Sequence, residues 1–341
     1  MNPSALIYKN VKMNNFSRIL AFDFYVPSGI ISNQFLSKEL GVASDKIYED
    51  TGVLSRYRSA ENEISSDMAV KAAEKIFKNY SYDREKIDYL IYCTQSFDWA
   101  SPTTACSIQD KLGLKKSIGA IDVGLGCSGF VYALGLAKAL IENGQVQDVL
   151  ILTAETLTKY LHPEDKATRL LFGDAATATI VGLSDSCKIE KFIYGSDGNG
   201  SDIMHCKRGG YRHPLQEQIS DEDLYYFKMD GLKVFYFSLK TVPGLIKQIL
   251  DKNGLKDDFS DIDWIVLHQA SKIILNTLVK KLKIPKEKML YSLEEYGNTV
   301  SSTIPLTISI NQKNGTIKPG DRILIAGFGV GLSWGGTVVE L

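Results

Sequence analysis

The sequence predicts a layered α/β protein made of two copies of one strand-and-helix unit. Three observations carry this. Matching segments recur in the same order in the two halves, apolar strand-like runs alternate with helical stretches, and the composition is that of an ordinary globular chain. IDYLIYCTQS at residues 87–96 matches IDWIVLHQAS at 262–271 position for position. KLGL at 111–114 resembles KLKI at 281–284, and DVLILTA at 148–154 resembles DRILIAG at 321–327. FGDAATATIVGL, from Phe172, resembles FGVGLSWGGTVVEL, from Phe328. One such pair arises easily by chance, but four in one order indicate duplication.

Each half reads alike. LIYC and WIVLH are short, β-rich apolar runs, as buried strands are. GLGCSGFVYALGLAKALIENG places Phe130, Leu134, Ala137 and Ile141 at helical spacing, with Gly144 as a C-cap. Alternating strands and helices imply parallel βαβ units and two packed sheets. The expected organisation is a leader at 1–16, a first half at 17–184 and a second at 185–341. Between the halves, about Gly195 to Asp223, the chain is rich in Gly, Asp, Ser and charge, and reads as a long surface loop or flap.

With 341 residues, 44% apolar and 23% charged, the chain has enough material for two core-sized halves. Its 39 basic and 40 acidic residues nearly cancel, without the basic excess of a nucleic-acid binder. No apolar run approaches the ~20 residues of a membrane helix, and the N-terminus has no signal pattern. Five scattered cysteines, without CxxC pairs, argue against a disulfide framework and against zinc. The expected setting is reducing and cytoplasmic, with no metal, nucleic acid or membrane partner.

Three side chains stand out. Cys127, in DVGLGCSGF, sits where a strand turns into a helix. Free N–H groups and the helix dipole there favour a thiolate, and Gly124, Gly126 and Gly129 let backbone approach a substrate. The bland alternative is a buried structural cysteine. His268 ends the run WIVL, where open α/β sheets place ligand chemistry, and its counterpart in the first half is Cys93. Asn298, in YGNTVSSTIP, reads as a strand–turn–helix junction close to the repeat position of Cys127, so pseudo-twofold symmetry would bring the two together. His162, His205 and His213 read as solvated loop histidines. GFGVGLSWGG, at 327–336, fits no nucleotide cradle and reads as a tight loop offering N–H groups to an oxyanion.

These residues resemble the β-ketoacyl-ACP synthase III family of the thiolase superfamily. The carriers are TGVLSRYR, SPTTACSIQDKLG, DVGLGCSGFVYALGLA, FGDAATATIVG, WIVLHQAS, YGNTVSSTIP, IKPGD and GFGVGLSWGG, from about Ser17 to Leu341. The resemblance implies a thiolase-like duplicated fold, layered αβαβα with two mixed sheets. It implies that Cys127 holds an acyl primer while His268 and Asn298 assist decarboxylation of a malonyl thioester, giving a 3-oxoacyl-ACP. The backbone N–H groups of Cys127 and Val330 would form the oxyanion hole. Ser101, Phe172 and Phe328 would line the substrate pocket, and Lys272, Lys280 and Lys281 would meet an acidic acyl carrier protein. No cofactor is implied, only acyl-CoA or acyl-ACP and malonyl-ACP as substrates, and a homodimer is implied.

The departures are specific. Val330 and Ser271 replace the usual Gly and Asn. Ile47, Tyr48 and Asp50 stand where the family grips the adenine of coenzyme A, and Lys166 replaces a second coenzyme A arginine. Ser101 replaces a bulky Phe. These changes favour an acyl-ACP or a bulkier primer over acetyl-CoA. The competing readings are an acyltransferase or thioester hydrolase that uses the same Cys and His without forming a carbon–carbon bond, and a non-catalytic binding protein. A cysteine protease shares the residue types but not their context.

Overall fold

The computed structural model describes residues 15–207 and 225–341. Most of the expected leader, His213 and much of the expected flap therefore lie outside the described residues. Phe16, placed in the leader from sequence, already opens the first strand.

The chain begins with β1 (Phe16–Tyr25) and a small ribbon of β2 (Gly29–Ser32) and β3 (Ser55–Arg58), which brackets α1 (Asn33–Leu40) and α2 (Ser44–Thr51). Then come α3 (Ser65–Asn79), β4 (Ile87–Cys93), α4 (Thr104–Lys111), β5 (Gly119–Val123), α5 (Gly129–Glu142), β6 (Asp148–Glu155), the single turn α6 (Lys166–Arg169) and β7 (Ala175–Ser184). The second part runs β8 (Ile193–Ser196), β9 (Met204–His205), β10 (Lys228–Met229), α7 (Gly231–Lys252), β11 (Trp264–Leu267) and α8 (Lys272–Leu282). It closes with α9 (Leu293–Tyr296), α10 (Thr303–Lys313), β12 (Arg322–Gly329) and β13 (Ser333–Glu340).

The first sheet has the order β1-β7-β6-β4-β5 and the second β11-β12-β13-β8. Both are mixed. β4, β5 and β6 run parallel while β7 is antiparallel to its neighbours; β11 and β12 run parallel while β13 is antiparallel to its neighbours. Read from β8, the second sheet repeats the first strand for strand. Where β5 pairs with β4, only a parallel bridge from Met289 to Ile265 remains.

Layering follows from which faces are apolar. β6 and β7 are buried on both faces and read as unbroken apolar or small-residue runs. Between the sheets lie α5, against β4, β6, β12 and β13, and α10, against β1, β7, β11 and β12. A helix between two sheets cannot be amphipathic, so Phe130, Leu134, Ala137 and Ile141 are buried along with Val131 and Ala133. α5 is capped by Asn143, one residue before the cap expected, and Gly144 follows in the left-handed region. Pro305 stands in the first turn of α10, where its missing N–H goes unused. Outside, α3 buries Met68, Ala69, Ala72, Ala73 and Ile76 on the first sheet, and α7 packs on the second with α8 beside it. The result is the αβαβα arrangement expected.

The segment read as a loop from Gly195 is partly strand. Gly195 and Ser196 belong to β8, paired with Trp334 and Ser333, and β9 pairs with β10 as a short ribbon. A Cβ at Gly195 would stand 2.1 Å from the Trp334 ring, so this glycine serves close packing rather than a turn. Asn298 follows a one-turn helix, α9, instead of the strand expected; beyond the Met289 bridge the repeat's edge strand has given way to helix.

Candidate active site

A cavity of about 660 Å³, counted with the open space at its mouth, opens where the strand ends of the two halves meet. Cys127, His268 and Asn298 all line it, as do Phe172, Phe328 and Val330. Its remaining wall is mostly apolar, from Leu157, Met204, Phe227, Met229, Val234 and Ile274. Such a lining suits an acyl chain or the flexible arm that carries one.

Cys127 lies two residues before α5. The end of β12 presses on it: a Cβ on Gly329 would stand 2.6 Å from Cys127 Cβ and 2.7 Å from Sγ. The backbone N–H of the next residue, Val330, faces the cysteine sulfur. A hydroxyl chain fixes this loop: Ser128 Oγ donates to Ser333 Oγ (2.7 Å), which donates to the Val330 carbonyl (2.7 Å).

Burial pushes the Cys127 thiol up to about 12, against the pull of the Val330 N–H, and the charge of Glu155 adds to the push. The thiolate expected from the helix terminus is thus not the resting form, because desolvation outweighs the dipole here. Burial also pulls His268 down to about 3, so the pair rests as thiol and neutral imidazole.

His268 follows β11 and lies edge-on to the Phe328 ring, centroids 5.7 Å apart. Its Nδ1 is 2.7 Å from Thr303 Oγ1, which also stands 3.2 Å from the Val300 carbonyl. When the hydroxyl proton goes to that carbonyl, Thr303 accepts from Nδ1–H and Nε2 is left bare; when it goes to Nδ1, Nε2 carries the proton. Asn298 is held at both ends: Oδ1 accepts from Val300 N–H (2.9 Å), and Nδ2 donates to the Ala270 carbonyl (3.3 Å). The second Nδ2 hydrogen is left for a ligand.

Ser101 does not line this cavity. It is exposed in the loop between β4 and α4, as are Phe97 and Trp99. Lys272 opens α8 directly after Ser271, a cavity-lining residue, and its Nζ lies 4.1 Å from the centre of the Tyr48 ring. Lys280 and Lys281 are exposed at the other end of α8, and Lys281 donates to the Leu239 carbonyl (2.8 Å). Ile47 is fully buried core and offers a ligand nothing. Lys166 and Lys46 instead rim a hollow that shares Leu171 and Ser271 with the cavity.

Sequence reasoning missed Gln95, Thr303 and the β9–β10 contribution. Gln95 lines the cavity, and in the repeat its counterpart is Ala270, which lines it too; carrying the repeat two positions past His268 would have found both. Thr303 had no sequence signal, because it depends on how α10 begins. None of the five cysteines is joined in a disulfide.

Two duplicated mixed sheets around buried helices, with cysteine, histidine and asparagine converging from both copies, define a thiolase-like condensing-enzyme fold. Residues 121–198 match the family model for 3-oxoacyl-[acyl-carrier-protein] synthase III, and residues 250–341 match its C-terminal model. The beta-ketoacyl-[acyl-carrier-protein] synthase III of Clostridium perfringens is 36% identical over 336 residues, covering 98% of this chain and all of that protein. That of Clostridium acetobutylicum is 35% identical over 328 residues, covering 96% and 99%. A solved 3-oxoacyl-(acyl-carrier-protein) synthase III superposes with a TM-score of 0.92 at 38% identity, covering 96% of this chain and 100% of that one. OleA of Xanthomonas campestris, 20% identical with a TM-score of 0.83 and coverage of 96% and 99%, shares the fold. The chain belongs to the 3-oxoacyl-ACP synthase III family.

Proposed function

We propose that this protein is an acyl-transferring condensing enzyme that joins an acyl primer held on Cys127 to malonyl-ACP, giving a 3-oxoacyl-ACP and carbon dioxide in fatty acid or related lipid or polyketide synthesis. The observation that carries this is the meeting of Cys127, the Val330 N–H, His268 and Asn298 in one apolar cavity.

In the first step the Cys127 sulfur attacks the primer thioester. The carbon–sulfur bond to the carrier breaks, and the thiol proton passes to the departing thiolate, with a bare His268 Nε2 as relay. The N–H groups of Cys127 and Val330 take the charge of the tetrahedral oxygen. In the second step the malonyl carbon–carbon bond breaks, carbon dioxide leaves, and its electron pair becomes an enolate. The free Nδ2 hydrogen of Asn298 and a proton on His268 Nε2 meet the enolate oxygen. The carbanion then attacks the acyl carbon, the carbon–sulfur bond to Cys127 breaks as the carbonyl reforms, and the departing thiolate takes a proton from water. Both steps run without a cofactor.

The hollow rimmed by Lys46 and Lys166 leads to the cavity past Leu171 and Ser271, and suits the phosphate-bearing arm of a carrier. Lys280 and Lys281 extend the basic face for an acidic acyl carrier protein. Lacking an aromatic and arginine grip for adenine, the site favours acyl-ACP or bulky primers over acetyl-CoA. The edge strand β5 and the exposed Phe97 and Trp99 beside it suit a homodimer, and any part Ser101 plays in the acyl pocket is played across that interface. Among the described residues no helix is long and apolar enough to cross a membrane, and five cysteines without a disulfide suit the cytoplasm.

The deciding experiment offers a panel of acyl-CoA and acyl-ACP primers with malonyl-ACP and reads Cys127 acylation and product mass. Condensation product with loss of carbon dioxide is expected, strongest with acyl-ACP. Acyl exchange or hydrolysis alone would refute the condensing role, and a strong preference for acetyl-CoA would refute the primer assignment.

A further inference from the structure

Behind the cavity wall lies a buried carboxylate that the steps above do not use. Glu155 ends β6 and has no exposed surface. Its Oε1 accepts from Ser301 Oγ (2.8 Å), its Oε2 accepts from Ser96 Oγ (3.0 Å), and the Gln95 N–H stands 3.2 Å from both oxygens. Among the described residues no ion pair reaches it. A buried carboxylate without a cation is costly, and here only donors hold it.

Those donors come from both copies of the duplicated unit. Gln95 and Ser96 follow β4, and Gln95 lines the cavity. Ser301 lies in the turn of 3-10 helix between Asn298 and α10, beside Val300, whose N–H holds the Asn298 amide. We propose that Glu155 is a positioning residue: it clamps the Ser301 turn of the second copy to the Gln95–Ser96 corner of the first, and so fixes Asn298 relative to Cys127. This rests on the roles of Cys127, His268 and Asn298 proposed above.

The titratable groups facing the carboxylate are Tyr92 and Cys93 on β4, Cys127 before α5 and Asp174 before β7. Burial pushes Glu155 up to about 7, against the pull of the Ser301, Ser96 and Gln95 donors, and Asp174 adds to the push. Every close partner is a donor, so the clamp is complete when the carboxyl is ionised. Decarboxylation therefore rises with pH through neutrality. Acylation of Cys127 gains nothing from that ionisation, because the carboxylate charge opposes the thiolate.

The test compares full-length wild type, Glu155→Gln and Ser301→Ala. It measures acyl transfer to Cys127 by mass spectrometry, carbon dioxide release from malonyl-ACP, and the pH profile of that release. Release is expected to fall about tenfold or more in both variants, while acylation stays within about threefold. Glu155→Gln should also lose the inflection near neutrality. Equal slowing of both steps, or wild-type release with the inflection intact in a folded variant, overturns the proposal. If Glu155→Gln fails to fold, Ser301→Ala decides by the split between the two rates, since it leaves the carboxylate and its other donors in place. Failure of the underlying catalytic reading looks different: wild type itself then releases no carbon dioxide.

Discussion

Gly329→Ala places a methyl group where Cys127 already stands. The new carbon would lie 2.6 Å from Cys127 Cβ and 2.7 Å from Sγ, whereas carbon contacts are comfortable at about 3.5–4.0 Å. One side must therefore move by about 1 Å. Neither side yields easily, since Gly329 ends a strand paired along its whole length with β13 and Cys127 leads into a buried helix. Overpacking of this kind costs about 1–3 kcal/mol, a fall of a few degrees in Tm. The larger effect is chemical. Val330 is the next residue, and moving the loop takes its N–H off the sulfur. A shift of that size at a reacting centre costs about a hundredfold. Single-turnover acylation of Cys127, followed by mass spectrometry, reads the loss directly, with calorimetry alongside. Acylation within about twofold of wild type and an unmoved Tm would refute the reasoning, because the loop would then give without penalty.

Three further outcomes are expected. In the free protein, alkylation of Cys127 by iodoacetamide should keep rising about tenfold per pH unit beyond pH 9, because burial holds the thiol protonated up to about 12; a plateau near neutrality would contradict this. Thr303→Val removes the hydroxyl 2.7 Å from His268 Nδ1 and should lower kcat for condensation about tenfold with little change in KM, read by steady-state kinetics. Reversing charge at both Lys280 and Lys281 should raise KM for malonyl-ACP and leave kcat within about twofold. An unchanged KM would remove these lysines from carrier docking.

Much of this molecule was legible in one sequence because duplication makes a chain its own comparison. The pairing of residues 87–96 with 262–271 foretold that β4 and β11 occupy equivalent places, and that His268 stands where the first copy has Cys93. Cys127 and Asn298 could be assigned to one site because they stand close to equivalent positions of the repeat. What failed was local. Composition took Gly195 for loop, although its missing side chain makes room for Trp334. The helix-terminus rule called for a thiolate, but how deeply a sulfur is buried depends on β12 and the cavity wall, which come from distant sequence. Ser101 was assigned from the family resemblance alone, and its exposed loop could not be foreseen without the path of the chain. Glu155 did leave a trace, an acidic residue closing the apolar run DVLILTAE, but only the fold reveals that Ser301 comes to meet it.

The reacting groups straddle a seam: the sulfur belongs to one sheet's domain of influence, the imidazole and amide to the other's. Whatever occupies the cavity must touch both sides at once, and so acts as a clasp. An acyl group parked on the sulfur should make the two copies melt together and at higher temperature, so the resting intermediate doubles as the stitch that holds the enzyme shut.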